Sequence, residues 1–117
     1  PDSSVLKSVR SGLKFGAALG NGMNIARQLG NLPANICTPS YLANQAKKIA
    51  KSNQGKIKVT TSVLNAAQMK KLKMDSLLSV AAGSDTPPKL IVINYQGGKA
   101  KSKPVVLVGK AVTFEQS

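Results

Sequence analysis

The 117-residue sequence predicts an α/β fold, a partial mixed sheet flanked by helices, and two kinds of segment carry this prediction. Apolar residues recur at helical spacing after residue 38, as on the inward face of an amphipathic helix. Uninterrupted aliphatic runs at residues 90–93 and 105–108 suit strands that are covered on both faces. With 42% hydrophobic residues, the chain can build the core of one domain or of part of one.

One helix is predicted in the N-terminal third of the chain. Residues 1–14 are polar and basic without a clear period, so we interpret them as a connecting or frayed segment. From residue 15 to about residue 32, positions such as Leu19 and Leu29 recur at helical spacing. Pro33 disfavours helical geometry in the residue before it and is expected to end this helix.

A second helix is predicted to begin at Thr38. Its hydroxyl can cap free backbone N–H groups, while Pro39 at the first helical position loses no needed donor. The residues expected to face inward are Leu42, Ala46, Ile49 and Ala50. Lys47, Lys48 and Lys51 are expected on the solvated face.

Shorter elements are predicted to follow. Residues 56–60 alternate polar and apolar side chains, as a half-buried or edge strand does. A short helix is predicted from Asn65 to Lys73, and its inward face would consist of Ala66, Met69 and Leu72. The apolar residues 77–82 predict a short strand.

Two aliphatic runs close the predicted sheet. The double proline Pro87-Pro88 forces an extended entry into the strand at residues 90–93. The glycine-containing stretch 96–103 is short enough for a hairpin-like turn. It therefore predicts that residues 105–108 form the antiparallel neighbour of that strand within a mixed sheet.

The charge of the chain limits its possible partners. Seventeen lysine and arginine residues outnumber four acids, giving a formal net charge of +13. The acids are Asp2, Asp75, Asp85 and Glu115. Such self-repulsion favours an anionic partner or an acidic portion of the same protein outside these residues. Aromatic residues make up only 3%, and no basic run is interleaved with them as single-strand stacking needs.

Histidine is absent and Cys37 is the single cysteine. This composition excludes a Ser-His-Asp or Cys-His nucleophilic system and an ordinary His/Cys zinc site built from these residues alone. Cys37 is predicted to be a small buried hydrophobe. No window approaches the roughly 20 apolar residues of a membrane span, so we expect a soluble, cytoplasmic protein with no membrane partner.

Lys110 and Glu115 are the candidate site residues. Lys110 directly follows the apolar run 105–109, and Glu115 lies five residues further on. Open α/β sheets place their ligands beyond the carboxyl ends of strands, so both side chains could reach one pocket. Taken alone, a lysine at the end of a strand is in most cases an exposed structural residue, and this reading of Lys110 stands beside the functional one.

Three segments together resemble the leucyl aminopeptidase (cytosol aminopeptidase) family. They read ARQLGNLPANICTPSYL at residues 26–42, GSDTPPKLIV at residues 83–92 and VLVGKAVTF at residues 106–114. The resemblance implies a two-domain metalloenzyme that removes N-terminal residues from peptides, usually as a homo-hexamer with two divalent ions, manganese or zinc. Those ions would activate a water and bind the free amino terminus of the substrate.

The resemblance also implies metal-ligand roles for Lys110 and Glu115. Lys110 matches the lysine ligand of the Val-Gly-Lys motif, and coordination requires its neutral amine, which burial and nearby cations favour. Glu115 stands where the family has an aspartate that bridges both metals, and its extra methylene would alter the metal spacing. No catalytic residue proper is assigned within the chain.

The resemblance divides the chain in two. Residues 1–35 would be a linker and connecting helix, and residues 36–117 the incomplete start of the catalytic α/β domain. We therefore expect a fragment of a two-metal aminopeptidase that is inactive in isolation. The alternative is a non-catalytic, basic interaction piece that binds an anionic partner or nucleic acid.

Overall fold

A computed structural model of the chain describes residues 2–53, 55 and 57–113. The elements are α1 (Ser3–Asn31), α2 (Pro39–Ser52), β1 (Lys58–Leu64), α3 (Ala66–Lys71), α4 (Asp75–Val80) and β2 (Leu90–Gln96). Helices with a small sheet confirm the predicted α/β class. In the described part of the chain, no helix is long and apolar enough to cross a bilayer.

The chain divides into two compact units, Pro1–Leu32 and Pro33–Ser117. The first unit holds α1, and the second holds the other helices and the sheet. The domain boundary predicted between residues 35 and 36 concerns the longer protein, and it stays a prediction.

Helix α1 begins twelve residues earlier than the sequence predicted, because Ser3 is already helical. The expectation of a frayed segment over residues 1–14 is therefore wrong from residue 3 onward. Val5, Val9 and Leu13 recur every four residues, which is a helical spacing. The Asp2 carboxylate caps this helix by accepting a hydrogen bond from the Ser4 backbone N–H at 3.2 Å.

The cap and the exposure of α1 determine what supports this helix. Hydrogen bonds from Ser4 lower the pKa of Asp2, because they stabilise the ionised carboxylate. None of the side chains of α1 is buried. Its stability in this unit therefore comes from backbone hydrogen bonds and its cap, and not from core packing.

Helix α2 begins as predicted at the Thr38 cap. The Thr38 hydroxyl accepts a hydrogen bond from the Tyr41 backbone N–H at 3.2 Å. Ala46 is buried as predicted, and Ala43 is buried beside it, whereas Ile49 is 41% exposed. The inward face is therefore rotated slightly from the predicted one and consists of small side chains.

The sheet consists of β1 and β2, which pair antiparallel in a register from Lys58 opposite Gln96 to Leu64 opposite Leu90. The strand predicted at residues 56–60 is confirmed from Lys58 and extends further. Alternate residues of β1 are half-buried, and β1 packs against α2. The Thr61 hydroxyl donates a hydrogen bond to the Ala46 carbonyl at 3.1 Å and so joins the sheet to α2.

The strand predicted at residues 105–108 is not formed. Residues 102–113 adopt neither helix nor strand, and the side chains of Val105–Val108 are 73–94% exposed. Strand β2 is formed as predicted, but its antiparallel neighbour is β1. An aliphatic run indicates that a strand can be buried, but it does not supply the partner strand that its backbone groups need.

Helix α3 follows β1 directly and confirms the predicted short helix. Asn65 accepts a hydrogen bond from the Gln68 backbone N–H, and the Gln68 side chain accepts one from the Asn65 N–H, both at 2.9 Å. Met69 is fully buried, as core packing requires. Leu72, predicted on the same face, is 62% exposed because the helix ends at Lys71.

The strand predicted at residues 77–82 is wrong, because Asp75–Val80 form α4. The Leu78 N–H donates to the Met74 carbonyl at 3.2 Å, and the Ala81 N–H donates to the Leu77 carbonyl at 3.3 Å. These are helical bonds between residues four apart. A short apolar run does not distinguish a strand from a helical turn by its periodicity.

Replacing Thr38 with alanine removes the side-chain cap of α2 while leaving Pro39 in place. We expect Thr38→Ala to lower the free energy of unfolding by about 1 kcal/mol. The control Thr38→Ser keeps a capping hydroxyl and should lie close to the parent chain. Urea unfolding followed by circular dichroism measures both, and equal losses in the two variants would contradict the capping role.

Met69 and Leu72 provide a matched pair within one short segment. We expect Met69→Ala to destabilise the chain by about 2–5 kcal/mol, because it empties a fully buried position. Leu72→Ala should cost less than about 0.5 kcal/mol, because that side chain is mostly in water. Thermal unfolding of the two variants tests this, and similar costs would show that α3 packs differently.

Candidate functional site

Lys110 lies in the irregular segment 102–113, and its side chain is exposed. Lys110 follows the exposed run Val105–Val108 and then Gly109. Gly109 has open space around its Cα. The predicted partner Glu115 lies outside the described residues. The structure therefore gives no distance between the two side chains, and their assignment as metal ligands stays a prediction.

The donor groups of the described residues do not assemble a metal site by themselves. In residues 2–53, 55 and 57–113, no group of three or more His, Cys, Asp or Glu side chains lies close enough to hold a metal ion. Asp75 is exposed in the first turn of α4, and Asp85 is exposed in the connection to β2. Two-metal sites need several carboxylate or comparable donors, so this donor set does not fit two ions.

Cys37 has the structural role that the sequence predicted. Its side chain is 7% exposed and forms part of the small core with Ala43, Ala46 and Met69. Its backbone N–H donates to the Pro33 carbonyl at 2.9 Å, within the turn that precedes α2. Cys37 is a free, buried cysteine, which suits a packing residue.

A cavity of 470 Å³ lies along the N-terminal half of α1. Its lining residues are Ser3, Leu6, Lys7, Arg10, Ser11 and Lys14. None of them is a carboxylate, a thiol or an imidazole, which are the side chains that bind metals most often. All six lining residues are exposed, so the cavity is open to solvent. It contains neither Lys110 nor Glu115.

Several exposed lysines adjoin one end of the sheet. The antiparallel register places the start of β1 at Lys58 opposite the end of β2 at Gln96. The C-terminal end of α2 lies near the start of β1. The Asn53 side chain at that end donates a hydrogen bond to the Ile57 carbonyl at 3.2 Å, and Ile57 directly precedes β1. The exposed lysines that adjoin this end along the chain, which we call the basic end, are Lys51, Lys58, Lys99, Lys101 and Lys103.

The acids that the structure describes in the same unit lie in a different segment. Asp75 and Asp85 belong to the connection between Leu64 and Leu90, which leaves the sheet at its opposite end. Of these lysines, the sequence analysis placed only Lys51, on the solvated face of the second helix, and it did not relate the group to one end of the sheet. The alternation of lysine at residues 99, 101 and 103 directly after a strand was the signal that pointed to this relation.

The sequence is similar to those of known proteins over most of its length. Residues 24–116 match the model of the cytosol aminopeptidase family, catalytic domain. The chain is 58% identical over 109 residues to a probable cytosol aminopeptidase of Paraburkholderia phytofirmans, which covers 93% of the chain and 21% of that protein. It is 49% identical over 114 residues to a probable cytosol aminopeptidase of Ralstonia nicotianae, covering 97% of the chain and 22% of that protein.

A third relative gives the same result. A probable cytosol aminopeptidase of Paraburkholderia phymatum is 52% identical over 114 residues, covering 97% of the chain and 22% of that protein. The chain thus spans about a fifth of the length of the curated relatives it matches. The family match covers most of the chain, including Lys110 and the position of Glu115. The chain therefore belongs to the cytosol aminopeptidase family.

Proposed function

We propose that the longer protein containing these residues is a metallo-aminopeptidase that hydrolyses N-terminal residues from peptides. The observation that carries this proposal is the match of residues 24–116 to the family's catalytic domain. The relatives named probable cytosol aminopeptidase support it over nearly the whole chain. The 117 residues alone are proposed to be inactive, because their described donor groups do not complete a two-metal site.

Lys110 and Glu115 are proposed as metal ligands of the longer protein, which would hold two divalent ions, manganese or zinc. The position of Lys110 in the Val-Gly-Lys sequence and the five-residue spacing to Glu115 support these roles. Further donors would come from other residues of the longer protein. Burial of Lys110 by those residues would favour the neutral amine that coordination requires.

Assembly, location and domain arrangement are proposed with the activity. The longer protein is proposed to be a cytoplasmic homo-hexamer, and the word cytosol in the names of the relatives supports the location. Residues 1–35 are proposed to be the linker and connecting helix, and residues 36–117 the start of the catalytic domain. The division of the chain into compact units after Leu32 supports a boundary close to this position.

The basic interaction role is the second candidate function. The net charge of +13 and the convergence of five lysines at the basic end favour it. In this alternative the chain is non-catalytic and binds an anionic partner or nucleic acid.

Variants at Glu115 test its proposed role as a metal ligand in the longer protein. Glu115→Gln removes the negative charge, and we expect loss of bound metal together with a fall in kcat of more than about 100-fold, since even outer-sphere partners cost about 10–100-fold. Glu115→Asp keeps the carboxylate and should retain metal and activity. Metal content and hydrolysis of a leucine chromogenic amide are the two measurements.

Lys110→Met tests the other ligand with a side chain of similar length that cannot donate a lone pair from nitrogen. We expect a similar fall in activity and loss of metal from the longer protein. Lys103→Met is the matched control, because Lys103 is exposed in the same irregular segment and is not a proposed ligand. Full metal content in Lys110→Met, or equal losses in both lysine variants, would refute the assignment.

A further inference from the structure

Helix α1 carries a seven-residue pattern along its whole length. Apolar or small residues occupy positions that are separated alternately by four and three residues, at 5, 9, 12, 16, 19, 23, 26 and 30, and we call these positions the seam of α1. Polar side chains recur every seventh residue on the outer side of the helix, at Lys7, Lys14, Asn21 and Gln28. This spacing, sustained over about four heptads, is typical of a helix that pairs with another helix.

The seam is uncovered in this structure. Its four large side chains are 46–56% exposed, namely Val5, Val9, Leu19 and Met23. A Cβ atom added at Gly12 or Gly16 would meet no atom within 4 Å. Glycine is a poor helix former, so glycines in the interior of this helix need another explanation. Close approach of a second backbone gives one, because glycine has no side chain to keep it away.

Large and small residues of the seam complement each other when the helix is reversed. When two α1 helices lie antiparallel with Val9 of each facing Ala26 of the other, every large side chain of the seam faces a small one. The four facing pairs are Val5 with Gly30, Val9 with Ala26, Met23 with Gly12 and Leu19 with Gly16. Alternation of large and small residues across facing positions lets the layers interdigitate without voids.

A parallel pair does not have this fit. In register, it would set Gly12 against Gly12 and Met23 against Met23. The first layer would leave a void and the second would be crowded, and both faults destabilise a packed interface. The pattern therefore favours the antiparallel arrangement.

The complementarity also indicates which partner covers the seam. A helix of different sequence would not require α1 to match its own reverse, whereas a two-fold interface between identical subunits requires this self-complementarity. Lys7, Arg10 and Lys14 lie off the seam, so two copies bring no like charges together within it. A lipid surface is a weaker match, because Gly12 and Gly16 at the centre of the seam offer it no apolar side chain.

We propose that the seam of α1 pairs antiparallel with the seam of α1 in a second copy of the longer protein. This inference does not rest on peptidase activity, because it involves neither Lys110 nor Glu115. It adds a defined two-fold contact to the proposed homo-oligomer.

Paired cysteines in the longer protein test the contact and its direction. The double variant Val9→Cys with Ala26→Cys places thiols at facing positions of the two copies. Within one helix these positions lie about 25 Å apart, at about 1.5 Å per residue, so they cannot form a disulfide inside one chain. The matched control is Lys7→Cys with Gln28→Cys, which has the same relation between its positions on the outer side of the helix.

After mild oxidation, we expect most of the Val9→Cys, Ala26→Cys protein to run as a disulfide-linked dimer on a non-reducing gel. The control and the parent should run as single chains. Val9→Cys alone should not link, because an antiparallel pair keeps the two copies of this position far apart. Circular dichroism and the unfolding midpoint show whether each variant is folded.

Gly16→Leu tests the close approach of the two helices. A leucine at this position would face Leu19 of the second copy and overpack the seam. We expect the linked fraction of the Val9→Cys, Ala26→Cys protein to fall about tenfold when Gly16→Leu is added. Asn21→Leu is the matched control, because it adds the same side chain on the outer side, and it should leave the linked fraction unchanged.

Three results would overturn the inference. The first is no disulfide-linked dimer from the Val9→Cys, Ala26→Cys protein, which would show that another surface covers the seam. The second is equal linking in the Lys7→Cys, Gln28→Cys control, and the third is linking of Val9→Cys alone, which would indicate a parallel pair. Absence of peptidase activity with the expected dimer would refute the proposed function and leave this inference standing.

Discussion

The antiparallel pairing of β1 with β2 is the interaction on which the Pro33–Ser117 unit depends. It brings together residues that are far apart in the chain, from the pair Lys58 and Gln96 to the pair Leu64 and Leu90. The hydrogen bond from the Thr61 hydroxyl to the Ala46 carbonyl then joins this ladder to α2. A two-stranded ladder is marginal without such packing, so α2 and the sheet support each other.

The same pairing determines where charge accumulates. Because the strands run antiparallel, the turn after α2 and the loop after β2 meet at one end of the sheet. The long connection with α3 and α4 leaves from the other end and carries both Asp75 and Asp85. The basic end is therefore a consequence of strand register as well as of composition.

Lys110 lies outside this pairing. Strand β1 occupies one edge of β2, and the apolar run Val105–Val108 is unpaired within the described residues. Lys110 follows that run and is exposed with it. The described residues gather no group of three or more metal-binding side chains, so the proposed role of Lys110 depends on further donors from the longer protein.

Local signals in the sequence predicted local structure well. The caps at Thr38 and Asn65 involve contacts over three residues, and both helices begin at those residues. The elements that were wrong depend on context: residues 77–82 are helical, and residues 105–108 lack a strand partner in the described part of the chain. The lysines at residues 99, 101 and 103 were visible in the sequence, but their relation to Lys58 required the register of β1 and β2. Resemblance identified Lys110 and Glu115, whose geometry depends on residues beyond those described.

We propose that these residues carry part of a two-metal peptidase site and do not complete it. Hydrolysis of a leucine chromogenic amide, measured with manganese or zinc for both the 117-residue chain and the longer protein, tests it most directly. We expect metal-dependent turnover by the longer protein and none by the 117-residue chain. Turnover by the 117-residue chain alone would contradict it.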